Sequence, residues 1–427
     1  MDKYIEPQRS QWVDLISRPS GHDEQQESLV ETILDLVKSQ GDIALKNYTQ
    51  KFDGVSLNSF SVSQEEVSTA VTKIASKLKE AIEVARQNIE KFHTAQISPA
   101  VRVETMPGVQ CWQQAKPIER IGIYIPGGTA PLFSTVLMLA VPAVIAGCKD
   151  IILCSPPDKE GQIHPAILYT AHLCGIRRIF KVGGAQAIAA MAYGTMEIPK
   201  VDKIFGPGNS YVTMAKMKVQ QQGVAIDMPA GPSEVLILAD SAADPSWVAI
   251  DLLSQAEHGP DSQVVLVTDS DPFVEEVKTQ ITRQLSLLPR KKIAMQALNH
   301  SRFIVIADPD TQIEFVNMYA PEHLIINYKN ADSIADRILN AGSIFIGPYS
   351  PESVGDYASG TNHTLPTSAF AKAYSGVNLD SFTKKITYQK LTQEGLKLIG
   401  PYVEIMAEAE QLTAHKLAIT KRLKKLK

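Results

Sequence analysis

Cysteines are few in this 427-residue chain, and neither sign of charge dominates. The four cysteines, Cys111, Cys148, Cys154 and Cys174, form no CxxC pair and stand among apolar neighbours, which favours buried thiols in a reducing compartment. The net charge is −4, and the one basic run, KRLKKLK at 421–427, is more typical of a solvated helix end than of a binding patch. We therefore expect no nucleic-acid partner.

The sequence also lacks a secretory leader and an uninterrupted apolar span. The N-terminus MDKYIEPQRSQW is polar. The most apolar stretch, residues 130–147, contains Pro142 and is bounded by glycines, which favours a buried helix over a membrane span. We expect a cytoplasmic protein with no membrane partner.

What the sequence does contain is an alternation of short β-branched runs with helical patterns. It begins at RIGIYI near residue 120 and ends at GSIFIG (342–347), which predicts parallel sheets built from βαβ units. The predicted fold class is α/β: two consecutive doubly wound, incomplete Rossmann-like modules with helical N-terminal and C-terminal extensions. Before them, Ser63 and Glu66 fit a capping box that opens an amphipathic helical pattern reaching about His93.

Two short segments carry polar pairs with a possible chemical role. LSQAEHGPD (253–261) places Gln255 and His258 on one face of a helix, which indicates half of a metal site or, more often, a polar surface. APEHL (320–324) places Glu322 beside His323. Neighbours on an extended segment point opposite ways, so these would be two separate actors, or simply an ordinary entry into a strand.

Two further segments hold isolated polar residues. The loop SPESVGDYASGTNHTLP (350–366) contains Asp356 and His363, and a loop this long and polar is usually functional or disordered. AEAEQLTAHK (407–416) contains Glu410 and His415. Taken alone, His415 is typical of a solvent-exposed histidine.

Glycine loops stand between strand and helix at YIPGGTAP (124–131), VGGAQA (182–187) and FGPGNSY (205–211). Each offers backbone N–H groups to a phosphate. None completes the GxGxxG motif, and the chain has no Walker lysine motif, so these loops alone are weak evidence for a dinucleotide.

Together the motifs resemble the histidinol dehydrogenase family from about residue 26 to the end. The resemblance rests on seven stretches in the family's order: YIPGGTAPLFSTVLMLA, FGPGNSYVT, IDMPAGPSEV, LLSQAEHGPDSQV, YAPEHL, SPESVGDYASGTNHTLPT and AEAEQLTAHK. It implies oxidation of L-histidinol through L-histidinal to L-histidine, the last step of histidine biosynthesis. It also implies two NAD⁺ and one Zn²⁺ per active site.

The resemblance further implies a role for each matching residue. The expected zinc ligands are Gln255, His258, Asp356 and His415, with His415 supplied by a tail exchanged between the subunits of a homodimer. Glu322 and His323 are the expected acid/base pair. The expected substrate contacts are Ser233, Gln255, His258, His323, Asp356, Glu410 and His415, with His363 a less certain match. The expected NAD contacts are Tyr124, Gln186 and Asn209.

These assignments imply a division of the chain into domains. We expect residues 1–20 to form an N-terminal helical arm and 103–122 a linker. The first α/β module, with the metal and catalytic residues, would combine 21–102 and 233–377. Residues 123–232 would form the second module, with the NAD contacts, and 378–427 the exchanged helical tail.

Two other functions compete on the residues alone. A zinc-dependent hydrolase of a small amine or amide would also use His, Asp and Glu around a metal, but it leaves the glycine loops unexplained. A non-catalytic small-molecule binding protein with two α/β lobes leaves the metal set unexplained.

Overall fold

Parallel β-sheets form the framework of the computed structural model, which describes residues 1–19, 24–127 and 131–426. The strands are β1 (Asp2–Ile5), β2 (Arg102–Met106), β3 (Val109–Pro117), β4 (Arg120–Tyr124), β5 (Asp150–Ser155), β6 (Arg178–Lys181), β7 (Lys203–Phe205), β8 (Ala225–Ile226), β9 (Glu234–Ala239), β10 (Gln263–Thr268), β11 (Arg302–Val305), β12 (His323–Asn327), β13 (Ser343–Ile346) and β14 (Thr383–Leu391).

Helices cover both faces of these sheets. They are α1 (Trp12–Leu15), α2 (Glu24–Gln40), α3 (Asp42–Phe52), α4 (Gln64–Lys73), α5 (Ser76–Thr94), α6 (Phe133–Ala146), α7 (Pro165–Leu173), α8 (Gly184–Tyr193), α9 (Ser210–Gln221), α10 (Pro245–Ala256), α11 (Asp271–Leu285), α12 (Lys291–Asn299), α13 (Pro309–Tyr319), α14 (Ala331–Ala335), α15 (Glu352–Tyr357), α16 (Gln393–Ala409) and α17 (Thr413–Lys425). No helix within the described ranges is long and apolar enough to cross a membrane.

Two sheets are entirely parallel, which confirms the predicted pair of doubly wound modules. The first has the order β1-β11-β10-β9-β12-β13, and the second has the order β6-β5-β4-β7-β8. In each sheet the winding direction reverses beside the first central strand, between β9 and β12 and between β4 and β7. Ligands of such folds bind at these reversal points.

Each parallel sheet is buried on both faces, as its continuous apolar strands require. The β9 sequence EVLILA and the β10 sequence QVVLVT are buried at every position. One face of the first sheet packs on α10, α11 and α12, and the other on α1, α13 and α14. In the second sheet, α2, α3, α8 and α9 cover one face, and α6 and α7 cover the other.

A third, antiparallel sheet corrects two expectations about the chain's irregular parts. Its order is β14-β3-β2, so the expected linker 103–122 is mostly strand, and the expected helical tail begins with the nine-residue strand β14. The strands expose most of their residues. Without an alternating apolar face, they lack the pattern by which a strand is detected in sequence.

Two further expectations about local structure are corrected. The N-terminal arm contains α1 but begins with β1, a four-residue strand that pairs in parallel with β11. The Ser63–Glu66 capping box is confirmed, but the helical pattern that it opens breaks into α4 and α5, because Ile74 adopts an extended conformation between them. The division of the chain into domains stays a prediction.

Candidate active site

A buried pair of ionisable side chains, Glu322 and His323, lies where β12 begins. The backbone of one residue holds both: the Glu234 N–H donates to Glu322 Oε2 at 2.8 Å, and the Glu234 carbonyl oxygen lies 3.1 Å from His323 Nδ1. Because a carbonyl oxygen can only accept, Nδ1 carries the proton, and Nε2 is the basic atom of the neutral ring. His323 Nε2 is buried and has no hydrogen-bond partner among the described residues.

Their adjacency in sequence predicted that the two side chains point opposite ways. The prediction was wrong, and the two side chains lie close together. Glu322 precedes the first residue of the strand, so strand alternation does not apply to it. Its Oε2 lies 3.5 Å from His323 Nδ1. The two groups therefore belong to one site and share its electrostatics.

Burial and neighbouring charges shift the proton affinities of this pair. Burial raises the pKa of Glu322 above its ordinary value. Burial disfavours the imidazolium form of His323, but the carboxylates of Glu322, Glu352 and Asp356 outweigh it and raise the pKa of His323 well above its ordinary value. Both groups therefore hold a proton more strongly than they would in water, which makes each a stronger proton acceptor.

An ion pair with Arg18 holds Glu234, the residue whose backbone contacts Glu322 and His323. Arg18 Nε and Nη2 donate to Glu234 Oε1 and Oε2 at 3.0 and 2.9 Å, and Arg18 Nη2 also donates to the Tyr319 carbonyl oxygen at 2.7 Å. The guanidinium lies 3.8 Å from the centre of the Tyr319 ring. Glu234 is 1% exposed, so this paired carboxylate is fully inside the protein.

A second polar cluster lies beside the pair. One potential ligand atom from each of His258, Glu352 and Asp356 lies within 4.8 Å of the other two, and within the described ranges no other trio of His, Cys, Asp or Glu is so placed. Asp356 Oδ1 is 3.5 Å from His323 Nε2, which joins the cluster to the catalytic pair. Glu352 Oε2 and Asp356 Oδ1 are buried without hydrogen-bond partners there.

Gln255 joins this cluster through Glu352. When the Gln255 amide nitrogen faces Glu352 Oε1, the two atoms are 2.5 Å apart, and the amide oxygen then accepts from the Glu234 N–H at 3.0 Å. Helix α10 ends at Ala256, so His258 lies in the turn after the helix rather than in its last turn. Helix α10 begins with Pro245 at its first position and with Asp244 as its cap, whose Oδ1 accepts from the Ser246 N–H at 2.7 Å.

All these residues lie at the amino edge of the first sheet. Ser233 immediately precedes β9, and His323 opens β12. Helix α10 runs back against the strands, which brings Gln255 and His258 to the same edge. Ligand sites of doubly wound sheets usually lie at the carboxyl edge, so the general rule points to the wrong end of this sheet.

His363 occupies a supporting position in the cluster. Its Nδ1 lies 2.9 Å from the Asp356 carbonyl oxygen, and its Nε2 lies 3.0 Å from Thr135 Oγ1 on α6. Both ring nitrogens are thus engaged, and burial lowers the pKa of the ring. His363 ties the Asp356 segment to the second module.

Two of the expected site residues are not brought to this cluster within one chain. Glu410 directly follows α16, His415 lies in α17, and both are exposed. Helix α17 packs chiefly against α16, and His415 is not a member of the ligand group above.

Two contributors were missed in the sequence. Glu352 stands four residues before Asp356, the spacing of one helix face, and this signal could have revealed it. Arg18 lies 216 residues from Glu234 in an unremarkable polar segment, and nothing in the sequence links the two.

The expected cofactor residues line one cavity of about 920 Å³ at the carboxyl edge of the second sheet. Tyr124, Gln186 and Asn209 all contribute to its wall. The Gly184 N–H donates to Tyr124 Oη at 3.0 Å, and Asn209 caps α9 by accepting from the Val212 N–H at 3.1 Å. Helices α8 and α9 thus begin at this cavity, where free N–H groups favour a phosphate. Residues 128–130 of the loop 124–131 lie outside the described residues.

Two parallel α/β sheets, a buried acid/base pair beside a carboxylate and imidazole cluster, and a separate large cavity define an enzyme. It brings a small substrate together with a larger second ligand.

Comparison with known proteins identifies its family. The model of the histidinol dehydrogenase family matches residues 16–423. Histidinol dehydrogenase of Bacteroides thetaiotaomicron is 56% identical over 421 residues, 99% of this chain and 98% of the relative. That of Escherichia coli K12 is 55% identical over 400 residues, 93% of this chain and 91% of the relative. A crystal structure of histidinol dehydrogenase from Elizabethkingia anophelis has a TM-score of 0.97 at 56% identity and covers 100% of this chain and 98% of that chain.

The chain therefore belongs to the histidinol dehydrogenase family, as the motifs predicted. It is an oxidoreductase of histidine biosynthesis that acts on a small molecule, and the family is one of NAD-dependent dehydrogenases.

Proposed function

We propose that this enzyme oxidises L-histidinol to L-histidine in two NAD⁺-dependent steps, with Zn²⁺ beside the catalytic pair. The observation that carries the proposal is the position of His323 Nε2, an unpaired basic atom 3.5 Å from Asp356 in the ligand cluster. A substrate held by the cluster would therefore present its alcohol next to a base.

The residues of the cluster fit a zinc ion. Its donors would be Gln255, His258 and Asp356, completed by His415 from a second copy of the chain. Amide, imidazole and carboxylate donors suit zinc, and a cation would satisfy the buried oxygen of Asp356 that has no partner. Gln255 would contribute its amide oxygen to the ion. When bound, zinc would supply a positive centre that holds the substrate's imidazole and amine.

His323 and Glu322 would divide the proton transfers of the two oxidations. In the first, His323 Nε2 would take the alcohol proton, and the product would be L-histidinal. In the second, water would add to the aldehyde to form the hydrate that is oxidised to L-histidine. Bound NAD⁺ would supply the hydride acceptor, one NAD⁺ for each oxidation. Glu322 suits the activation of that water because burial raises its pKa towards neutrality, and His323 again takes the hydroxyl proton.

The cofactor would bind in the cavity lined by Tyr124, Gln186 and Asn209. Its pyrophosphate would meet the N-termini of α8 and α9, which supply N–H groups in place of a complete GxGxxG loop. The remaining substrate contacts would come from Ser233 beside β9 and from Glu410 of the second copy.

A homodimer with exchanged tails follows from where Glu410 and His415 lie. Both are exposed, and the tail helices also expose Tyr402, Ile405 and Met406, each more than 60% accessible. A second copy would cover these apolar side chains and receive the two polar ones in its site. The cytoplasmic location expected from the sequence suits a biosynthetic enzyme whose four cysteines are unpaired.

One assay tests the proposal. Purified enzyme is incubated with L-histidinol, NAD⁺ and Zn²⁺, and the reduced nicotinamide is counted against L-histidine formed. We expect a ratio of two, abolished by a chelator and restored by Zn²⁺. No reduction of NAD⁺, with hydrolysis of a small amide instead, would support the hydrolase alternative and reject the proposal.

A further inference from the structure

The large cavity has an unusual charge for a nucleotide site. Its described lining residues include two carboxylates, Asp53 and Asp158, and no lysine or arginine. A dinucleotide can rely on helix N-termini for its pyrophosphate, but an additional phosphate on the ribose would find no lysine or arginine there. The histidine of the described lining, His164, caps α7 by accepting from the Ala166 N–H at 3.2 Å.

The two carboxylates differ in their hydrogen-bond partners. Asp158 Oδ1 accepts from the backbone N–H groups of Glu160 and Gln162 at 3.0 and 2.8 Å, so it stabilises its own turn. Asp53, the residue after α3, has a buried Oδ2 with no hydrogen-bond partner among the described residues. Burial raises the pKa of Asp53 to about 6, and no neighbouring cation offsets this effect. Because Oδ2 is desolvated and has no donor, Oδ1 is the oxygen that a ligand in the cavity can reach, and a donor to Oδ1 would stabilise the carboxylate.

The position of Asp53 indicates which half of the cofactor it meets. Helix α6, which reaches the catalytic module through the contact between Thr135 and His363, packs on one face of the second sheet. Helix α3 packs on the opposite face. The nicotinamide must point towards the catalytic residues, so the adenosine half falls to the side of α3 and Asp53.

We propose that Asp53 accepts hydrogen bonds from the adenosine ribose hydroxyls and thereby selects NAD⁺ against NADP⁺. This inference rests on the proposed function, because it requires the dinucleotide to occupy this cavity. A ribose diol supplies the donors that the carboxylate lacks. A 2′-phosphate removes one donor and places a dianion beside a carboxylate with no cation to balance either.

The test compares NAD⁺ and NADP⁺ as oxidants of L-histidinol in the wild type, D53N, D53A and the matched control D158N. We expect D53N and D53A to lower kcat/KM for NAD⁺ at least tenfold, mainly through KM, with little loss for NADP⁺. The ratio of kcat/KM for NAD⁺ to kcat/KM for NADP⁺ should therefore fall at least tenfold. D158N should leave that ratio within twofold of the wild type. With 2′-deoxy-NAD⁺, the difference between wild type and D53N should shrink to within threefold.

If D53N leaves the ratio of kcat/KM for NAD⁺ and NADP⁺ unchanged, Asp53 does not select the nucleotide. The same holds if D158N changes this ratio as much as D53N does. In both cases the proposed function stands. A wild type that reduces neither nucleotide overturns the proposed function instead. A full D53N effect with 2′-deoxy-NAD⁺ shows that the ribose 2′-hydroxyl is not the partner and also overturns the inference.

Thermal unfolding without cofactor supplies a second readout. The folded pKa of Asp53 is raised, so its desolvation lowers stability when it is ionised, above about pH 6, and is relieved as the pH falls below that value. D53N should therefore unfold at a higher temperature than the wild type at pH 8, and this gain should shrink at pH 5. A D53N variant that is less stable at pH 8 would mean that the carboxylate is structural.

Discussion

At the scale of single residues, the proposed acid/base pair, Glu322 and His323, would divide two tasks within one site. His323 presents a free Nε2, whereas Glu322 is anchored by the Glu234 N–H and keeps a second carboxylate oxygen for water. We predict that E322Q spares the oxidation of L-histidinol to L-histidinal more than the oxidation of L-histidinal, by at least tenfold. Each half-reaction can be followed separately by supplying L-histidinol or L-histidinal in single-turnover experiments. Equal losses in both would reject the assignment.

Arg18 acts on the same pair from a distance. It pairs with the side chain of Glu234, whose backbone N–H and carbonyl oxygen contact Glu322 and His323. We predict that R18K lowers kcat about tenfold or more and leaves KM for L-histidinol and the zinc content unchanged, because lysine cannot reproduce the bidentate pairing. A proportional rise in KM, or loss of zinc, would mean that Arg18 supports the fold in general rather than the catalytic pair.

A control for Arg18 avoids an unpaired buried charge. Removing Arg18 alone strands the Glu234 carboxylate, which destabilises a protein by about 3–5 kcal/mol. The double variant R18M/E234Q removes both charges at once. It should fold and show the same selective loss of kcat.

The sequence predicted some residues of this site but not others. Gln255, His258, Glu322, His323 and Asp356 were all named from motifs, and the structure brings them to one sheet edge. Arg18 could not be found, because a pairing across more than two hundred residues leaves no local pattern. The amino edge could not be inferred either, since the general rule for doubly wound sheets favours the opposite one.

At the scale of secondary-structure elements, predictability followed hydrophobic periodicity. Every strand of the two parallel sheets from β4 to β7 and from β9 to β13 corresponds to an apolar run recognised in the sequence. Strands β1 and β14 were missed, and β2 and β3 were predicted only as an extended linker, because none of the four has a continuous buried apolar run. A strand that is buried on both faces has a continuous apolar run in the sequence and is easily predicted. An exposed strand has no such run and is difficult to predict.

The loop between β7 and α9 depends on one glycine. Gly206 has φ +127°, and a Cβ there would lie 2.1 Å from the Tyr124 carbonyl oxygen. We predict that G206A lowers the free energy of unfolding by about 2 kcal/mol or more. It should also weaken NAD⁺ binding, because the loop carries Asn209. Urea unfolding and a nucleotide titration would measure the two effects.

Gly223 is the matched control for this glycine. It also has a positive φ, +94°, but a Cβ there meets no atom within 4 Å. G223A should therefore show only the backbone strain, about 1 kcal/mol, with unchanged NAD⁺ affinity. If the two variants lose the same stability, the close approach to Tyr124 is not what requires glycine at Gly206.

At the scale of the whole molecule, the proposed exchange of tails would make each active site a product of two chains. We predict that H323A and H415A homodimers are each inactive, but that mixing and reassociating them restores activity. In a heterodimer, one site combines both defects and the other combines neither. Since half of a random mixture is heterodimer, the expected activity is about a quarter of the wild type.

The same mixture distinguishes exchange from its absence. If each tail served its own chain, every site in the mixture would carry one defect, and activity would stay at the level of the single variants. Mixing H323A with E322Q is the control, because both defects then lie in the same part of the chain and no intact site can form.

The cofactor cavity takes none of its described lining from residues 233–377, which hold the catalytic pair and the in-chain ligand cluster. In the proposed reaction, the reduced nucleotide could therefore leave and a second NAD⁺ could bind while the contacts to the intermediate persist. That arrangement would keep the reactive aldehyde bound between the two hydride transfers and away from amines elsewhere in the cell.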